Sequence, residues 1–241
     1  TAETIAEFTP KQYFLGIEIK THGLLKMATK ARGDIKVSGQ LLPGGHVQAR
    51  EFSATGTWKG DPFLQKISFE ENGKVATSET QRSNDWLEKN KRAPVPDALK
   101  KGPDPTSLFV SLLQQQIDVN TTSQPINLRT YDGDTVVDWQ LGCSEKTVQL
   151  KQSRHSPHHG DAFECSVNST LVAGALLEEK KITRIKRGPR GRRGQMKVED
   201  SPAKVWLMAI NNSKKLMPVR AEVPSSRGTV DLYLSKLSVN S

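Results

Sequence analysis

Along most of this chain apolar and polar residues alternate with a period of two, the pattern of strands that bury one face. Four runs open the series: QYFLGIEIK (12–20), DIKVSGQL (34–41), HVQAREFSATGTW (46–58) and LQKISFEENGKV (64–75). Pro43-Gly44-Gly45 and Asn72-Gly73 are the φ-permissive connectors that hairpins use. Between the first two runs, GLLKMATKARG (23–33) predicts a short helical turn with Leu24, Leu25 and Met27 inward.

Residues 83–103 are Pro-rich and charged, which predicts extended or loop structure. A helix start comes next. Asp104 can cap, Pro105 suits the first helical position, and Leu108, Phe109, Leu112 and Leu113 share one face of a helix over 105–116 that packs on, or plugs, the sheet.

The strand pattern then returns at 126–133, 135–142, 145–154, 161–172, 181–187, 203–212, 216–224 and 228–237. Gly133-Asp134 closes the first pair, and 211–213 and 225–228 are the turns of the final meander. The expectation is an all-β fold: about ten antiparallel strands in a strongly curled sheet or barrel-like meander, with one short helix. The chain reads as a single domain over 1–241.

Composition changes this picture in one respect, its charge. The net charge of +9 and pI of about 9.5 favour polyanionic partners: nucleic acid, anionic lipid head groups or lipopolysaccharide phosphates. Much of the excess sits in one stretch, RIKRGPRGRRGQMK (184–197), with Arg184, Lys186, Arg187, Arg190, Arg192, Arg193 and Lys197 as candidate anion-binding residues. As a nucleic-acid arm it lacks interleaved aromatics to stack on and any helical or zinc module to read bases. A basic loop also contacts anionic lipid, at about 1 kcal/mol per charge near the surface, and a solvated hairpin loop with no ligand is the third reading. No run of 18 apolar residues is present.

Cys143 and Cys165 are the only two cysteines, 22 residues apart in polar surroundings, and predict one structural disulfide in an oxidising compartment. Two buried thiols in a reducing compartment are the alternative. His155, His158, His159 and Asp161 lie within seven residues and are candidate metal ligands by type and spacing. Pro157 and Gly160 instead mark a hairpin loop there, and a solvated loop is the stronger reading; no metal or other cofactor is expected. No G-x-S-x-G and no phosphate-cradling glycine loop occurs, and the acid pairs are adjacent rather than facing, so no enzyme is predicted. Thr1 in place of Met suggests a processed or trimmed start, which removal of a secretory signal peptide would leave and an arbitrary cut in a longer chain would leave equally. The sequons at Asn120, Asn168 and Asn211 carry no argument.

Several segments, in order, resemble an alphaproteobacterial-type branch of a bacterial periplasmic β-protein family catalogued as a domain of unknown function. They are THGLL (21–25), DIKVSGQLLPGGHVQAREFSATG (34–56), GPDPTSLFVSLL (102–113), RTYDGDTVVDWQL (129–141), FECSVNSTLVAG (163–174) and 205–237. The most specific pieces are Asp104-Pro105, Tyr131-Asp132-Gly133 and Pro218-Val219-Arg220. The resemblance implies export, an antiparallel curled sheet and a role in the cell envelope, with no catalytic residues to carry over. It also implies a further strand ahead of 1–20, missing or replaced here, whose loss would expose a sheet edge. The expected function is therefore non-enzymatic: a periplasmic protein that binds a lipid or amphipathic ligand within its sheet and docks through 184–197 on anionic lipid, lipopolysaccharide or another envelope polymer. A scaffold recruiting envelope or peptidoglycan-associated proteins is the runner-up, and nucleic-acid binding through 184–197 the weaker alternative.

Overall fold

The structure is a computed structural model and describes residues 2–20, 31–114, 125–177, 202–209, 216–225 and 228–234. It is all-β, with two six-stranded antiparallel sheets in which strands follow chain order. The first sheet holds β1 (Ala2–Phe8), β2 (Gln12–Lys20), β3 (Ala31–Leu41), β4 (Val47–Trp58), β5 (Asp61–Phe69) and β6 (Val75–Gln81). The second holds β7 (Ile126–Tyr131), β8 (Val136–Leu150), β9 (Gly160–Ala173), β10 (Ala203–Ala209), β11 (Leu216–Ser225) and β12 (Gly228–Tyr233). Two α-helices, α1 (Asn84–Lys89) and α2 (Pro105–Gln114), lie between them in sequence. By packing, the chain divides into one unit of 1–117, 127–139 and 170–177 and another of 118–126, 140–169 and 178–241.

Several expectations need correction. The described residues form twelve strands rather than about ten, and neither sheet is closed or strongly curled. β6 shows why closure fails: past Val75 it is exposed on both faces, so no apolar surface draws it round onto β1. The run 64–75 breaks after Phe69, where Asn72 Oδ1 accepts from the Lys74 N–H at 2.8 Å and Gly73 takes a φ of 78°. The runs 135–142 and 145–154 are one strand, β8, which continues through Gly142. Inside the Pro-rich stretch, Ser83 Oγ caps the Trp86 N–H at 3.4 Å and starts α1. β1, which the periodicity passes over, pairs with β2 from Ala2↔Ile19 to Phe8↔Tyr13. The helical turn expected around Leu24, Leu25 and Met27, the strand at 181–187 and the turn at 211–213 lie outside the described residues.

Side-chain alternation puts Tyr13, Leu15, Val37, Phe52, Ala54 and Ile67 of the first sheet on one buried face, joined in the core by Val110 of α2, Tyr131 and Val136. Helix α2 packs on β3 and β4, but not through the face its leucines suggested. Its buried residues are Ser107, Val110 and Ser111, while Phe109 remains 40% exposed. The cap decides this rotation. Asp104 Oδ1 accepts the Thr106 and Ser107 N–H groups at 2.8 and 2.9 Å, and Oδ2 accepts the Ser107 hydroxyl at 2.5 Å. Tyr13 OH donates to Ser107 Oγ at 2.8 Å, tying the first turn of the helix to the sheet. Small serines let the helix backbone approach closely where leucine would hold it off.

Tyr13 can reach because Gly39 lies opposite it with no side chain. A Cβ on Gly39 would fall 2.3 Å from Gln48 O and 2.6 Å from the Tyr13 ring, whereas one on Gly33 meets nothing closer than 3.8 Å. Gly39→Ala is therefore expected to cost about 1–3 kcal/mol in a urea unfolding midpoint, and Gly33→Ala less than about 0.5 kcal/mol.

Burial raises the Asp104 carboxyl above its usual range, against the hydrogen bonds from Ser107 and Thr106. The folded state then holds this proton more tightly than the unfolded one. Its stabilising contribution is full below the unfolded pKa of about 3.9 and is lost as pH rises through the folded value. Asp104→Asn should flatten that decline when unfolding free energy is measured against pH, at the cost of a weaker cap.

Candidate functional site

In the unit that contains the first sheet, the register aligns Ile19↔Gly33, Gly33↔Gly56 and Gly56↔Phe63 on the inner face. The neighbouring row is Ile17, Ile35, Ala54, Gln65 and Thr80. With two glycines side by side, the Phe63 ring leans across the strands until its Cζ lies 3.8 Å from where a Gly33 Cβ would be. Glycine here provides floor space for an aromatic ring.

Arg82 comes directly after β6, one position beyond the Gln81↔Leu64 pair, and so arrives beside Phe63. Its guanidinium lies 4.6 Å from the Phe63 ring centroid and 5.1 Å from that of Trp86, which the Ser83 cap swings into place as α1 begins. Burial lowers the Arg82 pKa, while the field of Asp134 opposes that shift. The group stays charged, since a guanidinium holds its proton throughout the physiological range.

Its hydrogen bonding is incomplete. Arg82 Nη2 donates to Gln65 Oε1 across a long 3.5 Å, and Nε, shielded from solvent, has no partner. Gln65 cannot turn further toward it, because its own Nε2 donates to Asp132 O in the β7–β8 turn. That turn is rigid: Asp132 Oδ1 accepts the Asp134 and Thr135 N–H groups at 3.0 and 2.6 Å, Oδ2 accepts the Thr135 hydroxyl at 2.7 Å, and Tyr131 OH donates to Gly133 O at 2.7 Å. Gly133, at φ 99°, permits it. Asp134 has its pKa raised by burial and by Asp132, with Arg92 and Arg82 pulling it down. Beside this charged end, Ile17 and Ile35 are only partly buried at the margin of the core and Ile19 is 39% exposed. The result is a partly buried cation packed on two rings, on the same sheet face as the half-exposed Ile19, an arrangement suited to a ligand with an anionic head and an apolar body.

The residues singled out from sequence are distributed differently. Arg184, Lys186, Arg187, Arg190, Arg192, Arg193 and Lys197 lie outside the described residues. Cys143 and Cys165 form a disulfide between β8 and β9, with Cys165 fully buried. The four metal-ligand candidates diverge. The His155 ring packs on Tyr233 with centroids 5.6 Å apart, His159 Nδ1 bonds Pro157 O at 2.9 Å, and Asp161 accepts from Gln149. His158 Nε2 is buried without a partner. Among the described residues no group of three His, Cys, Asp or Glu side chains is placed to hold a metal ion, and no helix is long and apolar enough to cross a membrane.

Sequence reasoning missed Arg82, Phe63, Gln65 and Trp86. The available signals were glycines at mid-strand positions 33 and 56 and a serine three residues ahead of Trp86. No family model, curated protein or solved structure matches the chain.

Replacing both cysteines by alanine should lower unfolding stability by about 3 kcal/mol in a urea titration, the value expected for a loop of this size. A reducing agent should destabilise the native chain and leave that double variant unmoved.

Proposed function

We propose that this protein is a non-enzymatic component of the bacterial cell envelope, exported to the periplasm, that binds a lipid-like amphipathic anion on the inner face of its first sheet. The observation that carries this reading is the Arg82 guanidinium, packed on Phe63 and Trp86 and in no ion pair with a carboxylate among the described residues, on the sheet face that also carries the half-exposed Ile19. The disulfide favours an oxidising compartment, and the sequence resemblance to a periplasmic family points the same way.

In this proposal the basic segment 184–197 docks the protein on anionic lipid or lipopolysaccharide. In sequence it lies between β9 and β10. Chains purified without detergent stripping should carry a co-purifying amphiphile in native mass spectrometry. They should also float with anionic liposomes in a salt-sensitive manner that replacing Arg187, Arg190, Arg192 and Arg193 by Ser abolishes. No bound amphiphile, together with no salt-sensitive flotation, would remove the proposal.

One observation favours a second reading, a scaffold that recruits envelope proteins. On β12 the apolar Val230 and Leu232 are 49% and 50% exposed, on a strand that has only β11 as neighbour among the described residues. Crosslinking with photoreactive groups at these two positions in cells separates the readings, since a scaffold yields one reproducible protein adduct there.

A further inference from the structure

Among the described residues one position other than glycine has a positive φ: Lys59, at 55°. Trp58 pairs with Asp61, so Lys59 and Gly60, at φ 94°, are the two central residues of the β4–β5 hairpin, and both take the positive φ of a type I′ turn. Asn, Asp or Gly fills the first of these places with little strain, whereas a lysine is strained there. No packing explains the strain. A Cβ on Gly60 would meet nothing within 4 Å, Lys59 is exposed and forms no ion pair among the described residues, and Trp58 beside it is 52% exposed.

Trp58 lies on the inner face of the first sheet. It sits opposite Ala31, on the same side as Gly33 and so as Ile19, which is two strands or about 10 Å across and 39% exposed. This corner therefore carries an uncovered indole and isoleucine on one face, the Lys59 ammonium at its tip, and on the other face Arg32, whose side chain is 72% exposed. The carboxylates near them are Asp61, opposite Trp58, and Glu18, 3.6 Å from Arg32.

The corner is selective about what it can hold. Two cations are too few for a nucleic-acid backbone track. Trp58 and Ile19 fall far short of the roughly 800 Å² per partner of a stable protein interface. A bilayer surface needs neither, because one amphipathic ring can settle among head groups while an adjacent ammonium meets phosphate.

We infer that the β4–β5 tip inserts Trp58 into the head-group region of an anionic phospholipid bilayer, and that Lys59 is held in its strained conformation beside the ring to meet lipid phosphate. This rests on the reading of the protein as one that docks on anionic lipid. It adds to the basic segment 184–197 a second contact, one that depends on apolar insertion as well as charge.

Vesicles of equimolar phosphatidylglycerol and phosphatidylcholine, with brominated acyl chains that quench tryptophan on contact, test this with the full chain. Native emission should be quenched on binding, and Trp58→Phe should remove that quenching. Lys59→Asn supplies the residue that a type I′ turn favours, so its urea midpoint should hold or rise while its vesicle affinity falls about fivefold, the effect of one cation near a charged surface. Trp58→Ala should weaken binding at low and high salt alike, whereas replacing Arg187, Arg190, Arg192 and Arg193 by Ser should act on the salt-sensitive part. Quenching that survives in Trp58→Phe, or an unchanged affinity in Lys59→Asn, overturns the tip assignment and leaves docking through the basic segment in place. Absence of any binding by the native chain to these vesicles overturns both.

Discussion

Two crossings of strands depend on the absence of a side chain. Gly39 lets the Tyr13 ring lie over β3 and reach Ser107 at the start of α2; Gly33 and Gly56 let the Phe63 ring lie across β3 and β4. A methyl group at Gly39 or Gly56 would sit 2.3 or 2.1 Å from a backbone oxygen of the next strand, where no rotamer change gives relief. The strand backbones therefore come unusually close in two places, and each carries an aromatic residue that connects the sheet to a helical segment C-terminal to it. The first connection orients α2. The second sets up an arginine at the start of α1.

Those two connections differ in how completely their polar atoms are satisfied. Around Asp104 the network closes, with two backbone N–H groups and the Ser107 hydroxyl on one carboxylate, and Tyr13 on the serine. The β7–β8 turn is equally complete, with Asp132 holding Asp134 and Thr135. Next to the second network, through Gln65, sits Arg82, whose Nε has no partner. Arg220 Nε is unpartnered too, but Glu222 and Asp231 answer its charge, whereas Arg82 forms no ion pair among the described residues. The neighbouring turn cannot relax to meet it, since Gln65 is already committed to Asp132.

The second unit divides its faces by the same alternation. Trp206, Arg220 and Tyr233 align across β10 to β12 on one face, with the guanidinium 4.9 and 5.4 Å from the two ring centroids, next to a small core of Ala162, Met208 and Val219. Val205, Ala221 and Leu232 align on the other, and Val223 pairs with Val230. That second face becomes more exposed toward β12, which makes the outermost strand amphipathic as well as unpaired on one side among the described residues.

Much of this was legible from residue order alone. Period-two alternation located β2, β3, β4 and most later strands, because burying one face of a strand constrains every second residue whatever lies opposite. Asp104-Pro105 located the helix start, because capping is decided within four residues. Two cysteines located their own bridge. What residue order could not determine was which strand lies beside which. Closure into one wall, the face that α2 buries and the meeting of Phe63, Gln65, Arg82 and Trp86 all turn on register, and register is a property of pairs of strands. Glycines at 33 and 56 are unremarked until hydrogen bonding sets them side by side, and Arg82 is one cation among many until Phe63 and Trp86 pack against it.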